Sequence, residues 1–583
     1  MMADKFDTEV LIVGGGPVGL ATALDLAWRG NSSMLVEREA ATGGVLLAKA
    51  NGLHERTMET CRRWGLIDRV VARGFPPDHA GDSVYCTAMT GHFIGRSVIP
   101  SANDRPVPPE SPEKRQRCAQ YEFDPLLAAA VVEQGLTDMR YGTEFVDLSQ
   151  DEDGVTSRVR NVTTGEVSTI RSRYLVACDG AGSQVRRQLE IPFEGRMLDF
   201  SLSAMIRIPD LAAHRPIPDG ERYILIGTDG AWGIMTSVDG REIWRYTVVG
   251  SQEKLDPAHY DVSADIRRAL GSDAISFEIL RLIPWRRSQC VAESYRAGRV
   301  LLAGDAAHTT SPTGGHGMNT GIADAVDLAW MLDAIIKGWG GERLLEAYDI
   351  ERRPVGARNS ASAAKNYSGW MVNAGYENVL AEGPEGDACR ADIGRRLVES
   401  LHGEWHSLGI DLGYRYEGSP VIVADGTPPP PDDTSTYIPT ARPGHRAPHA
   451  WLADGRSTLD LFGHGFALLR FGVGEGATAA LEQAAAAAGV PLRAIDIAEP
   501  EIAALYERKV VLVRPDGQVA WRGDALPADC GHLVDVVRGA AAPAAERTRA
   551  APRVSRAAAF MAGLVEVASA IDPEAMPLST ARR

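Results

Sequence analysis

Short apolar runs, each closed by a glycine-rich break, set the rhythm of the first 320 residues. Glu9-Val10-Leu11-Ile12-Val13 runs into Gly14-Gly15-Gly16-Pro17-Val18-Gly19, then the helical stretch LATALDLAWRG, then Ser33-Met34-Leu35-Val36 ending at Glu37. An apolar run of this length bounded by turn residues predicts a strand buried on both faces, and the strand–helix–strand spacing predicts a parallel crossover unit. Tyr174-Leu175-Val176-Ala177 and Arg299-Val300-Leu301-Leu302-Ala303 repeat the strand signal, and the second leads into a long helix, GIADAVDLAWMLDAII. Between about 190 and 285 the pattern becomes alternation, as in Ser201-Leu202-Ser203-Ala204-Met205-Ile206-Arg207-Ile208, which predicts an antiparallel sheet with one covered face. Four prolines at 428–431 mark a stiff linker. Beyond them, Phe466–Phe471, an alanine-rich helix, the strand LRAIDI, and two strands joined by Arg514-Pro515-Asp516-Gly517 predict a crossover unit followed by a hairpin.

The first break carries chemistry. Gly14 permits the tight turn, Gly16 lets a pyrophosphate approach the backbone, and Gly19 lets helix and strand pack closely, while Pro17 and Val18 open a helix whose free N–H groups favour an anion. Glu37, eighteen residues past Gly19, is placed to accept hydrogen bonds from ribose hydroxyls and would repel a 2′-phosphate. FAD or NAD suits this site better than NADP.

Two further clusters decide between them. Asp179-Gly180 follows the second strand; Gly304-Asp305 follows the third and precedes Pro312-Thr313-Gly314-Gly315-His316-Gly317-Met318-Asn319. With Gly14–Gly19, these three motifs in this order resemble the single-component FAD-dependent aromatic hydroxylases, the group of para-hydroxybenzoate and phenol hydroxylases, over roughly residues 5 to 525. The resemblance implies an α/β fold: a Rossmann-like FAD-binding domain with an inserted antiparallel β-sheet substrate domain, and a C-terminal thioredoxin-like domain. The expected boundaries are 1–190 for the first part of the FAD domain (80–105 contributing to the substrate domain), 191–285 for the substrate sheet, 286–425 for the second FAD part, 430–540 for the thioredoxin-like domain, and 541–583 for an Ala/Arg-rich tail with a helix-like stretch.

Bound FAD and a transient NADPH or NADH are the implied cofactors, with oxygen passing from a flavin C4a-hydroperoxide to a phenolic ring. FAD contacts are expected from Gly14, Gly16, Pro17, Val18, Gly19, Glu37, Arg38, Lys49, Gln120, Asp179, Gly180, Gly304, Asp305, Pro312, Gly315, Gly317, Met318 and Asn319. Relatives carry a carboxylate where Asn51 stands; asparagine cannot take a proton, so that base assignment does not transfer. The catalytic residue stays open among Asn51, Pro312, His316, Tyr223 and Tyr246, the tyrosines lying in the alternating stretch where substrate is expected. No metal is expected.

Composition narrows the partners. Seventy-seven acidic against sixty-one basic residues give a formal charge of −16, which disfavours nucleic acid. Seven scattered cysteines without a CxxC, no long apolar span, and a strand-like run almost at the N-terminus point to a cytoplasmic chain with no membrane contact. The expected partners are a small aromatic substrate and O2, with a homo-oligomer left open. Gly472-Val473-Gly474-Glu475-Gly476-Ala477, followed by Asp496, mimics a second dinucleotide site, but Glu475 would face a pyrophosphate, so nicotinamide binding there is not expected. The C-terminal unit is expected to be dispensable for redox chemistry and needed for stability or assembly. Two rival functions share the motifs: oxygen insertion beside a ketone or epoxidation of a polycyclic product, and an inactive flavin-binding assembly module.

Overall fold

The computed structural model describes residues 5–41, 49–209, 211–370 and 374–543; the expected tail helix lies outside the described residues. Thr8–Val13 sits at the centre of a parallel sheet because both its faces are apolar and covered. It pairs in parallel with Ser33–Glu37 on one side and Val167–Ala177 on the other. Val300–Leu302 and Thr137–Tyr141 extend the sheet at either end. The helix Pro17–Trp28 packs on one face beside the long helix His316–Ile336, and both bury most of their surface. Val18 lies against Gly304 and Gly321, where added Cβ atoms would approach it to 2.8 and 2.6 Å.

A second sheet of eight strands runs His308–Thr309, Glu278–Ala292, Phe193–Arg207, Ile243–Val248, Gly230–Ser237, Arg222–Gly227, Ser83–Cys86, Phe93–Ser97. It is antiparallel except between Arg222–Gly227 and Ser83–Cys86. One face buries Leu202, Ala204, Ile206, Tyr223, Leu225, Met235, Trp244 and Tyr246 with the helix Val262–Leu270. The opposite face turns toward the nucleotide domain.

The C-terminal sheet orders Leu492–Ile497, Phe466–Phe471, Val510–Val513, Val519–Gly523: one parallel pair, then the hairpin, the thioredoxin-like order. In the decoy motif, Asp496 is engaged by Arg470 at 2.7 and 2.8 Å and so is committed to a side chain of its own sheet. The four-proline segment does not free this unit from the rest. Arg514 reaches Glu351 on the helix Arg343–Trp370 at 2.6 and 2.9 Å, with both side chains fully buried. Arg446 pairs with Glu59, and Arg56 donates to the Asp516 carbonyl at 2.6 Å. Buried charges cross this boundary, and they tie the unit down.

Candidate functional site

A cavity of about 920 Å³ extends from the glycine turn at the end of Thr8–Val13 to the inner face of the eight-stranded sheet. At its first end Gly14 has φ +109°, and a Cβ there would stand 2.4 Å from the Cys178 carbonyl oxygen. Only glycine fits. Gly16 is the reverse case: nothing lies within 4 Å of where its Cβ would be, so the cavity reaches the bare backbone. Gly19 is not on the wall; it lets the helix close onto Gly14, whose carbonyl oxygen would be 2.0 Å from a Cβ. Glu37 lines the cavity and accepts from the Gly15 N–H at 2.6 Å, and Arg38 beside it is exposed.

Asp179 spends one carboxylate oxygen on the N–H groups of Gln184 (2.7 Å) and Val185 (3.2 Å), while its buried Oδ1 has no partner. Gly180 lies next to it on the wall. Asp305 is open to the cavity but otherwise enclosed by protein, and that burial raises its pKa against the pull of His308 and Lys49. Gln120 donates to Asp124 at 3.0 Å, both lining the same stretch near Lys49.

Burial pushes Asp124 up to about 7 from 3.8, opposed by Gln120 and Lys49. The folded chain therefore holds a proton that the unfolded chain has released between about pH 4 and 7, so stability falls as pH rises through that window. In the FAD-free protein, Asp124→Asn is expected to be more stable than the parent at pH 8, with the difference disappearing below pH 4. Urea unfolding of both proteins across pH reads this directly.

Pro312, Gly314, Gly315, Gly317 and Met318 form the loop along the middle of the cavity. Gly315, at φ +75°, caps the helix His316–Ile336 and points that helix's N-terminus at the cavity. Two residues of this loop do not reach the wall. Asn319 turns back to accept from the His54 N–H (2.9 Å) and the Thr57 hydroxyl (2.7 Å), and donates to the Gly52 and Gly315 carbonyls. His316 is sealed behind Gly314, and burial lowers its pKa to about 3 despite Asp411, leaving it neutral. Gly304 likewise serves packing against Val18.

The tyrosines expected at the substrate end face the other way. Tyr223 and Tyr246 are fully buried in the core under Val262–Leu270, because a strand sends successive side chains to opposite faces. Their chain neighbours Arg222, Arg245 and Thr247 line the cavity instead. Trp285, Trp370 and Trp405 complete that wall.

Asn51 lies on the wall with its buried Oδ1 unpartnered, so it offers a hydrogen-bond acceptor but no base. His54 stands close by. Its Nδ1 is 2.7 Å from Asp411 Oδ1, and its Nε2 would lie 3.1 Å from a Cβ on Gly315. Burial would raise the Asp411 pKa, but His54 and Arg115 beside it hold the carboxyl well below the usual range. Arg115 donates to Asp411 at 3.2 Å and to Glu55 at 3.2 and 3.3 Å. His54, His316 and Asp411 bring three ligand atoms within 4.8 Å, but Arg115 already supplies Asp411 with a cation. The trio reads as two imidazoles gathered around a carboxylate that Arg115 already pairs.

Sequence reasoning missed His54, Asp411, Asp124 and the arginines. Asp124 was within reach, one helical turn after Gln120 on the same face. His54 and Asp411 are 357 residues apart and leave no local signal.

The glycine turn, the bare Gly16 backbone, the half-satisfied Asp179 and the enclosed Asp305 fit FAD along the length of the cavity. Residues 7–363 match the FAD binding domain family, and residues 440–560 match the aromatic-ring hydroxylase C-terminal family. The chain is 34% identical over 564 residues to the tetracenomycin B2 monooxygenase-dioxygenase of Streptomyces olivaceus, covering 92% of this chain and 98% of that one. It is 34% identical over 566 residues to a 4-methyl-5-nitrocatechol 5-monooxygenase of a Burkholderia species, with 91% and 97% covered. Among solved structures, chromopyrrolic acid-soaked RebC with bound 7-carboxy-K252c aligns at a TM-score of 0.85 and 39% identity, covering 92% of this chain and 99% of that one. No helix among the described residues is long and apolar enough to cross a membrane. The chain belongs to the FAD-dependent aromatic-ring hydroxylases, monooxygenases that take electrons from NAD(P)H and oxygen from O2.

Proposed function

We propose that this monooxygenase hydroxylates a phenolic or polyphenolic ring and that His54 accepts the phenolic proton. The observation that carries the reading is His54 on the cavity wall beside Gly315, paired with Asp411. A phenol ionises near pH 10, so at neutral pH a neighbouring base must remove the proton to make the ring strongly nucleophilic. Asp411 holds Nδ1 as the protonated nitrogen, which leaves Nε2 free to accept, and stabilises the imidazolium that results. Asp411 is a positioning residue in this scheme. Asn51 offers its unpartnered oxygen as an acceptor to an N–H on the ring edge of the cofactor.

Bound FAD would supply the redox chemistry between NAD(P)H, O2 and the ring. Gly14, Gly16, Pro17 and Val18 would hold its pyrophosphate, Glu37 its adenosine ribose, Asp179 and Asp305 the middle of the chain, and Pro312, Gly314, Gly315, Gly317 and Met318 the ring. Arg38, Lys49, Gln120 and Gly180 flank it. Glu37→Ala is expected to weaken FAD binding by about 1–3 kcal/mol, the worth of a charge-assisted hydrogen bond. Asp305→Ala should release FAD from the other end. Flavin content and affinity by fluorescence quenching check both; unchanged values in both variants contradict the placement.

The substrates named for the relatives, a tetracenomycin and a nitrocatechol, support a phenolic class. Oxygen insertion beside a ketone would leave the dyad without a task. Seven free cysteines fit a cytoplasmic setting. Turnover of a panel of phenols and matched ketones, scored by product mass and position, tests the reading. Products from ketones alone would overturn it.

A further inference from the structure

One carboxyl on the cavity wall keeps a hydrogen-bonding atom that nothing in the protein uses. Asp124 stands on the helix Gln120–Gln134, one turn after Gln120 and on the same face, and both line the cavity. Only 8% of Asp124 is exposed. Its Oδ2 accepts from the Gln120 amide at 3.0 Å, while its Oδ1 is buried without a partner. A buried polar atom left unpaired is costly, and one that faces a cavity is completed by what fills the cavity.

The surroundings favour the neutral form of this carboxyl. Lys49 is the cation that pulls on it, and Lys49 pulls on Asp305 as well. Charged groups on the elements packed against its helix are engaged elsewhere. Asp25 of Pro17–Trp28 is held by Arg29, and Arg69 and Arg73 of Ile67–Arg73 reach Glu133 and Glu122 of the helix itself. On the strand Thr137–Tyr141, Asp138 and Arg140 pair with each other. The nearby Cys118 thiol is pushed up to about 12 by burial and stays neutral. Asp124 lies in the second turn of its helix, past the reach of the partial charge at the helix end. An ionised Asp124 would repel the diphosphate of FAD, whereas a neutral one has an O–H to donate.

We infer that Asp124 is a cofactor-binding residue that acts in its protonated form: its O–H donates to an oxygen of the FAD chain between the two ring systems, while Gln120 fixes the carboxyl's orientation. The inference rests on the placement of FAD proposed above and adds to it a contact and a pH dependence. Burial lifts Asp124 to about 7, so above that pH the empty protein must take up a proton to bind FAD. Affinity is therefore full at low pH and falls as pH rises through 7. Turnover at alkaline pH then needs FAD in excess.

The test follows FAD release from the full-length holoenzyme on dilution, read by recovery of flavin fluorescence, at pH 6 and pH 8.5. The dissociation constant of the parent is expected to rise by about tenfold or more between them, as one proton taken up per FAD requires. Asp124→Asn, a neutral donor of the same shape, should bind FAD at both pH values as the parent does at pH 6. Asp124→Leu, neutral without a donor, should also ignore pH but bind about fivefold more weakly at pH 6, the worth of one hydrogen bond. Urea unfolding shows whether each variant is folded, and the Asn variant carries the test if the Leu variant is not. A parent affinity that is flat with pH, or that rises because Lys49 pairs with an ionised Asp124, overturns the inference. So does an Asn variant that keeps the parent's slope, which would assign the proton to another group such as Asp305. A Leu variant as tight as the Asn variant would leave repulsion without a contact and overturn it too. Glu37→Ala separates the inference from the placement beneath it, since it should weaken FAD by one factor at both pH values. Unchanged affinity in Glu37→Ala and Asp305→Ala beside a normal Asp124 slope removes the placement alone. The expected losses in those variants beside a flat parent remove the inference alone.

Discussion

Glu351→Ala is expected to destabilise the folded chain by about 3–5 kcal/mol, the typical loss when one partner of a buried ion pair is removed. The Arg514 guanidinium is fully buried in the turn of the C-terminal hairpin, between Glu351 at 2.6 and 2.9 Å and Asp516. Ser419 also donates to Glu351 at 2.5 Å, so the variant strands a hydroxyl and leaves the Arg514 charge with Asp516 as its one carboxylate. Glu351→Gln keeps the shape and some of the hydrogen bonds and should lose less. Urea unfolding followed by tryptophan fluorescence separates the two, since Trp330 lies 5.0 Å from the Arg514 guanidinium. A loss below 1 kcal/mol in Glu351→Ala would mean water reaches Arg514. The same geometry supports a part for the C-terminal unit in stability. Truncation at the prolines would leave Glu59 and Glu351 buried without Arg446 and Arg514.

The second large effect concerns His54. Its replacement by alanine is expected to slow ring hydroxylation by 10²–10⁴-fold, the usual contribution of a positioned general base. FAD content should persist, because no FAD contact is assigned to this side chain. Asp411→Asn should fall in the same range, since an amide can favour the wrong imidazole tautomer. Its neutral side chain also releases Arg115 from one partner, so folding is checked alongside rate. A His54 variant with parent-like turnover would assign the proton to another acceptor.

The glycine-turn end of the cavity was legible in the sequence because its signals are local. Gly14, Gly16, Glu37, Asp179 and Asp305 each follow a strand end, where a glycine or carboxylate has few other reasons to stand. The parallel order, the antiparallel insert and the C-terminal crossover with hairpin were legible too, from apolar runs, alternation and the Pro-Asp-Gly turn. The substrate half was not. Choosing Tyr223 and Tyr246 weighed residue type above strand period, and the period sent the adjacent arginines to the cavity. His316 was chosen for its place in a glycine-rich loop, but helix geometry seals it behind Gly314 while His54, from another segment, reaches the wall. Asp411 joins the site only through tertiary packing, which no spacing encodes.

The central claim, that His54 takes the phenolic proton, is tested most directly by coupling: hydroxylated product formed per NAD(P)H oxidised, compared between parent and His54→Gln as pH rises. The test phenol is any that accelerates NAD(P)H oxidation by the parent. At pH 7 the variant is expected to consume NAD(P)H and release hydrogen peroxide with little product. As pH approaches the phenol's own pKa, near 10, the substrate ionises without help and product should recover toward the parent level. Parent-like coupling by the variant at pH 7, or a deficit that stays unchanged at high pH, would contradict it.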